Sequence, residues 1–89
     1  MLTERSPTDS IFYVGNGPRI KHTVSDGDVV TLRSDDQRIL VRDVAQLSPG
    51  LFTGTIYGFE PSMTTDYKGL KLGQKLEFSE RHIFGCTAA

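Results

Sequence analysis

The chain reads as a small all-β domain: one strongly bent antiparallel sheet of five or six strands, half-open or closed as an SH3-like barrel. Three observations predict this class. Turn signals recur about every ten residues, at "GNGP", "SDGD", "SDDQ" and "SPG", the spacing of an all-β meander. The runs between them, such as "IFYV", "VVTLR" and "LFTGTIYGF", are rich in β-branched and aromatic residues that suit a pleated surface. No long stretch carries apolar residues at helical spacing, so at most one short helical turn is expected.

Taken in order, residues 1–9 are expected as a flexible N-terminal tail, because Ser6, Pro7, Thr8 and Asp9 disfavour regular structure. Residues 10–89 then form a single domain. "IFYV" and "RIKHTV" flank "GNGP", and Asn16-Gly17 readily takes the positive φ angles of a tight hairpin. Pro18 lacks an amide to donate, which places the second strand at an edge. After Gly27 comes "VVTLR", with Val30 and Leu32 on one face. "SDDQ" separates it from "RILVRDVAQL". That run is either a strand or two helical turns, with Val41, Val44 and Leu47 on one face, and the preceding "ILV" favours the strand. "SPG" leads into "LFTGTIYGF", where Phe52, Gly54 and Ile56 share a face. A glycine among core positions marks a sharp bend or a close backbone approach, and a small barrel needs such a bend to close. In the closing segment Leu70, Leu72, Leu76, Phe78 and Ile83 are core candidates. "DGDVVTL" and "LGQKLEF" echo each other as two similar strand starts, with no repeat architecture behind them.

Residues 38–86 carry three motifs, "ILVRDV", "GLFTGTIYGFEP" and "GLKLGQKLEFSERHI". Together they resemble the YegJ-like family of small bacterial domains of unknown function. The motifs are similar to that family's strand before the first turn, its phenylalanine–x–glycine strand leading to a proline, and its glycine-led last strand. The chain departs from the pattern at Leu40 and at Gly85-Cys86, where the family tends to show tryptophan, and residues 1–37 have no counterpart. The resemblance implies a compact β-rich fold and brings no functional residue with it.

Composition narrows the function. Eighty-nine residues without tryptophan build one modest core. A single cysteine forms no internal disulfide, which points to a reducing cytoplasm. No run approaches the roughly 18 apolar residues of a membrane span, and the polar start lacks a signal-peptide core. Ten basic residues against eleven acidic ones give no general attraction to phosphate backbones.

Four features are candidate sites. His82 and Cys86 would lie about 13 Å apart on a strand at roughly 3.3 Å per residue, too far for a nucleophile and base, and zinc wants four ligands. The reading is a short turn capped by Ser79, with no catalytic pair, no metal and no cofactor. Asp35-Asp36 fits a hairpin turn better than a carboxylate site. The glycine clusters lack the pattern of a phosphate-binding loop. The 58–69 loop, "GFEPSMTTDYKG", is the longest connection and bears Phe59, Met63 and Tyr67. These three either fold back over an open barrel end or form a partner-binding surface for a peptide, a protein or a second copy. The function expected is a non-catalytic binding module centred on that loop. The alternative is a nucleic-acid-binding barrel, with Tyr13, Tyr57 and Tyr67 stacking bases and Arg19, Lys21, Lys68 and Lys71 meeting phosphates. An enzyme using His22 or His82 as base ranks last.

Overall fold

The computed structural model describes residues 2–15 and 20–88. Its strands in chain order are β1 (Phe12–Val14), β2 (Val29–Ser34), β3 (Gln37–Ser48), β4 (Leu51–Glu60), β5 (Asp66–Tyr67), β6 (Leu70–Lys71), β7 (Lys75–Ser79) and β8 (Gly85–Thr87). A 3-10 turn at Glu80–His82 is the only helical piece among the described residues. Six strands form one sheet in the order β1-β8-β2-β3-β4-β7, and β5 and β6 form a separate ribbon. The domain is all-β as expected. It is not closed into a barrel, because β1 and β7 remain edges, and it is mixed, because β1 pairs parallel with β8.

That parallel pair corrects the first hairpin. "IFYV" lies beside the far end of the chain, with Phe12 N–H on Phe84 O and Ala88 N–H on Val14 O, and residues 20–24 form no strand. Of the turn expected at "GNGP", Asn16, Gly17 and Pro18 lie outside the described residues. The segment expected as a flexible tail carries specific contacts. Leu2 packs on the core, Thr3 N–H donates to Arg33 O, and the Arg5 guanidinium donates to the carbonyls of Asp9, Glu80 and Ile83 and to the Glu80 carboxylate.

The central hairpins follow from local chemistry. β2 and β3 meet through the two-residue turn Asp35-Asp36, with Asp35 at φ 55°, a conformation that aspartate tolerates better than most side chains. Pro49 and Gly50 join β3 to β4, with proline and glycine in the positions of a type II turn. The "RILVRDVAQL" run is strand throughout. Val41 and Val44 are both buried although an odd spacing should place them on opposite faces. The ladder shifts register between Arg42 and Ala45, and Asp43 sits at φ 54°. This bulge inserts an extra residue and returns Val44 to the core, so the i, i+3 spacing that mimics a helix is a bulged strand.

The core gathers on one face of the bent sheet: Val30, Leu32, Ile39, Val41, Phe52, Ile56, Phe78 and Ile83 are all buried. Phe52 and Phe78 are register partners with ring centroids 6.0 Å apart. Gly54 lies where β3 crosses closest, since a Cβ there would collide with Val41 Cγ1 and sit 3.0 Å from Arg42 O. Leu70 and Leu76 pack on the margin of this core, while Leu72 and Leu47 are exposed.

Candidate binding cleft

The 58–69 loop does not present its three apolar side chains together. Phe59 is 2% exposed and belongs to the core, whereas Met63 is 83% exposed. The Tyr67 ring lies 6.3 Å from that of Phe59, and its hydroxyl donates to Ser34 O at 3.4 Å and to Asp35 Oδ2 at 3.3 Å. A surface containing Phe59 is therefore corrected: Phe59 and Tyr67 fold back, and only Met63 stands open. The cause is again register. Leu40 pairs with Gly58 and Val41 with Ile56, so Tyr57 is an extra residue, and it reverses the facing of everything after it. Phe59 then pairs with Ile39 on the inward face.

The rest of the loop becomes a small hairpin. Lys68 at φ 49° and Gly69 at φ 86° form the two-residue turn between β5 and β6, the paired positive φ angles of a type I′ turn. Lys68 forms an ion pair with Asp35, and Ser62 Oγ donates to Gln37 Oε1 at 2.7 Å. The ribbon is thus pinned to the β2–β3 turn.

Beside this ribbon opens a cleft of about 360 Å³, lined by Leu2, Leu70 and Leu76 together with Ser34, Lys68, Glu77 and His82. Successive strand residues point to opposite faces. Leu76 and Glu77 both line the cleft, so it runs along the edge of β7 and not over one face. Across it stand Ser34, at the end of β2, and Leu2, beside the Thr3–Arg33 backbone bond. The cleft thus lies between the β7 edge, the end of β2, the β5–β6 ribbon and the N-terminal segment.

The β7 backbone is turned toward this gap. Ile56 N–H donates to Gln74 O and Glu80 N–H donates to Gly50 O, so even-numbered residues here bond to β4. By alternation Lys75, Glu77 and Ser79 direct their N–H and C=O groups to the free edge. Ser79 N–H is taken by His82 Nδ1 at 3.1 Å. The Glu77 backbone groups have no such partner among the described residues. Because Nδ1 accepts, the neutral His82 ring carries its proton on Nε2 as a donor.

A second cluster lies at the other end of the core. Asp28, 4% exposed, accepts from Lys21 Nζ at 2.6 Å, Ser25 N–H at 2.7 Å and the Cys86 thiol at 3.3 Å. Burial, reinforced by the Asp28 bond and charge, pushes the Cys86 thiol up to about 12. It is therefore protonated at neutral pH and a poor nucleophile. Burial would raise the Asp28 carboxyl, but the bonds from Lys21, Ser25 and Cys86 outweigh it and hold the group below its usual value. Cys86 and His82 thus answer to separate partners. Ser79 is the N-cap residue of the 3-10 turn, and the His82 ring reaches back to accept its N–H in a capping box. No group of three His, Cys, Asp or Glu that could hold a metal occurs among the described residues.

The residues of the nucleic-acid reading are dispersed in their roles. Lys21 is committed to Asp28 and Lys68 to Asp35, Tyr13 is half-buried, Tyr57 and Lys71 are exposed, and Arg19 lies outside the described residues. Local sequence gives no sign of the Asp28 cluster, because Asp28 and Cys86 are 58 positions apart. The cleft was hidden for the same reason, since its walls come from both ends of the chain. No helix among the described residues is long and apolar enough to cross a membrane. No family model, curated protein or solved structure matches the chain.

Proposed function

We propose that the chain is a non-catalytic binding module that captures a short extended segment of another polypeptide in the cleft beside β7. The observation that carries this reading is the Glu77 backbone, whose N–H and C=O face a leucine-lined gap. An extended segment would satisfy those groups by adding a strand, the mode by which exposed sheet edges take peptides, and would lay an apolar side chain against Leu2, Leu70 and Leu76. A volume of about 360 Å³ is at the small end of ligand sites and suits one such anchor. This moves the partner surface from the exposed tip of the 58–69 loop to the ribbon at its end, which supplies Lys68 and, just beyond, Leu70.

The YegJ-like resemblance and an SH3-like description accord with a small β module and add no partner. We also place the protein in a reducing compartment such as the cytoplasm. Support comes from its lone cysteine, which is buried and kept protonated first by that burial and then by Asp28.

Panning a random peptide display library against the purified chain tests the proposal, followed by amide hydrogen exchange with an enriched peptide. The expected result is slowed exchange at Glu77 and displacement of the peptide by Leu70→Arg. Enriched peptides that protect the backbone around Met63 and leave Glu77 unchanged would return the site to the loop tip. Failure to enrich any peptide would reject the module.

A further inference from the structure

The charges around the cleft specify its occupant further. Resting on the strand-addition reading above, we infer that the captured segment carries a lysine or arginine directly beside its apolar anchor. Three ionisable side chains line the gap. Lys68 is engaged by Asp35. His82 offers a neutral Nε2 donor, because its Nδ1 is occupied by Ser79. Glu77 is exposed and meets no cation among the described residues, and Lys75, two residues along the same row, does not line the cleft. The cleft therefore presents one uncompensated negative charge.

Geometry decides where the complementary charge must sit. Leu76 is the register partner of Gly54 and points toward the core side, while Glu77 is the partner of Thr53 and points to the outer face. A strand added along β7 alternates in the same way. If one side chain enters beside Leu76, its immediate neighbour emerges beside Glu77. Opposite charges on adjacent strands attract and like charges repel. The preferred motif is an apolar residue next to a basic one within an extended stretch. A segment with an acidic residue at that place is disfavoured twice, by repulsion from Glu77 and by the loss of a partner for it.

Two capped seven-residue probes test this by fluorescence anisotropy. One has a central leucine flanked by lysines in a threonine and valine background, and its twin has glutamates in place of the lysines. The lysine probe should bind the native chain about two- to fivefold more tightly, the range a cross-strand ion pair provides. Raising the salt should narrow that difference. Glu77→Lys should reverse the order of the two probes, and melting curves would verify that this exposed change leaves the fold intact. Equal affinities, or an unchanged order in Glu77→Lys, would overturn the charge inference.

Leu70→Arg, with Leu2→Arg as a second variant should the first unfold, separates this from failure of the cleft itself. Loss of both probes in those variants beside an unreversed preference sinks only the charge inference. Full binding in those variants, or no binding of either probe at millimolar concentration, sinks the cleft with it. Probe binding that weakens as protein concentration rises would show a second copy in the gap, and would also overturn the proposal.

Discussion

Two aspartate–lysine pairs tie this chain together, and they differ in nearly every respect that matters. Asp28 and Lys21 are enclosed, with side chains 6% and 11% exposed, and Asp28 also holds Ser25 N–H and the Cys86 thiol. Asp35 and Lys68 lie in the open, 63% and 54% exposed, and fasten the β5–β6 ribbon to the β2–β3 turn. The same two residue types thus do two jobs. Removing one member of an enclosed pair strands a charge where little water reaches it, which is strongly destabilising. Removing one member of an exposed pair leaves the other to water and salt, which replace most of what was lost. The enclosed pair should govern whether the domain is folded, and the exposed pair only where the cleft wall stands.

The largest effect should come from Asp28→Ala. It deprives Lys21, Ser25 and Cys86 of a common acceptor, and the expected loss is about 3–5 kcal/mol. Small domains have only about 5–15 kcal/mol in total, so the variant should lose a large share of its stability and its urea midpoint should fall markedly. Urea denaturation followed by circular dichroism measures this. A midpoint within error of the native chain would mean that the enclosed cluster contributes no more than the exposed one.

Acid should also act differently on the two aspartates. The Asp28 carboxyl is held below its ordinary value, on balance by its hydrogen bonds against the opposing effect of burial. The folded value lies below the unfolded one, so the stabilisation is complete above the unfolded value near 3.9. It is lost as pH falls through the folded value. Asp35 is also lowered, by Lys68, but from a solvated position. Asp28→Asn should therefore flatten the acid limb of the stability–pH curve between about pH 5 and 2, while Asp35→Asn should leave it steep. Equal flattening by both substitutions would show that burial makes no distinction here.

The same contrast explains what the sequence revealed. Strands whose cause is local were legible: Val30 with Leu32 and Phe52 with Ile56 alternate inward, and Gly54 marked the close approach that Val41 and Arg42 make there. The bulges at Asp43 and Tyr57 were not legible, because an extra residue leaves no mark of its own on the pattern. Asp43 made a strand resemble a helix, and Tyr57 turned Phe59 from an expected surface anchor into core. Contacts between the chain ends were beyond any periodicity argument. Neither the parallel β1–β8 pair nor the Asp28–Cys86 bond has a local sequence cause, and the cleft wall at Leu2 lay within the segment expected as a tail.

Cys86 contributes to the enclosed cluster through a single hydrogen bond to Asp28. Cys86→Ser keeps a donor for Asp28 while replacing a buried sulfur, and it should cost on the order of 1 kcal/mol, the net worth of an ordinary hydrogen bond. In the native chain the thiol is 1% exposed and raised to about 12, so labelling by a thiol reagent at pH 7.5 should proceed only through opening of the fold. Its rate should then rise in proportion to the unfolded fraction as urea is added. Fast labelling in buffer, with no dependence on denaturant, would show that the cluster opens on its own and is not part of the cooperative core.

The smallest effect is expected at the exposed pair, and it is the one that bears on binding. Lys68→Ala removes the ion pair with Asp35 but leaves the Tyr67 ring against Phe59 and its hydroxyl on Ser34 O. The global denaturation midpoint should not move measurably. Local opening is a different quantity from global unfolding and is set by the few contacts that hold a segment down. The amides of residues 66–71 should therefore exchange faster, while those of the β3–β4 hairpin keep their native rates. Because Lys68 and Leu70 both line the cleft, a peptide that needs the ribbon in place should dissociate more quickly from this variant even though its melting is unchanged. A drop in melting temperature as large as that of Asp28→Ala would place the ribbon inside the cooperative core and remove the mechanical independence that the cleft requires.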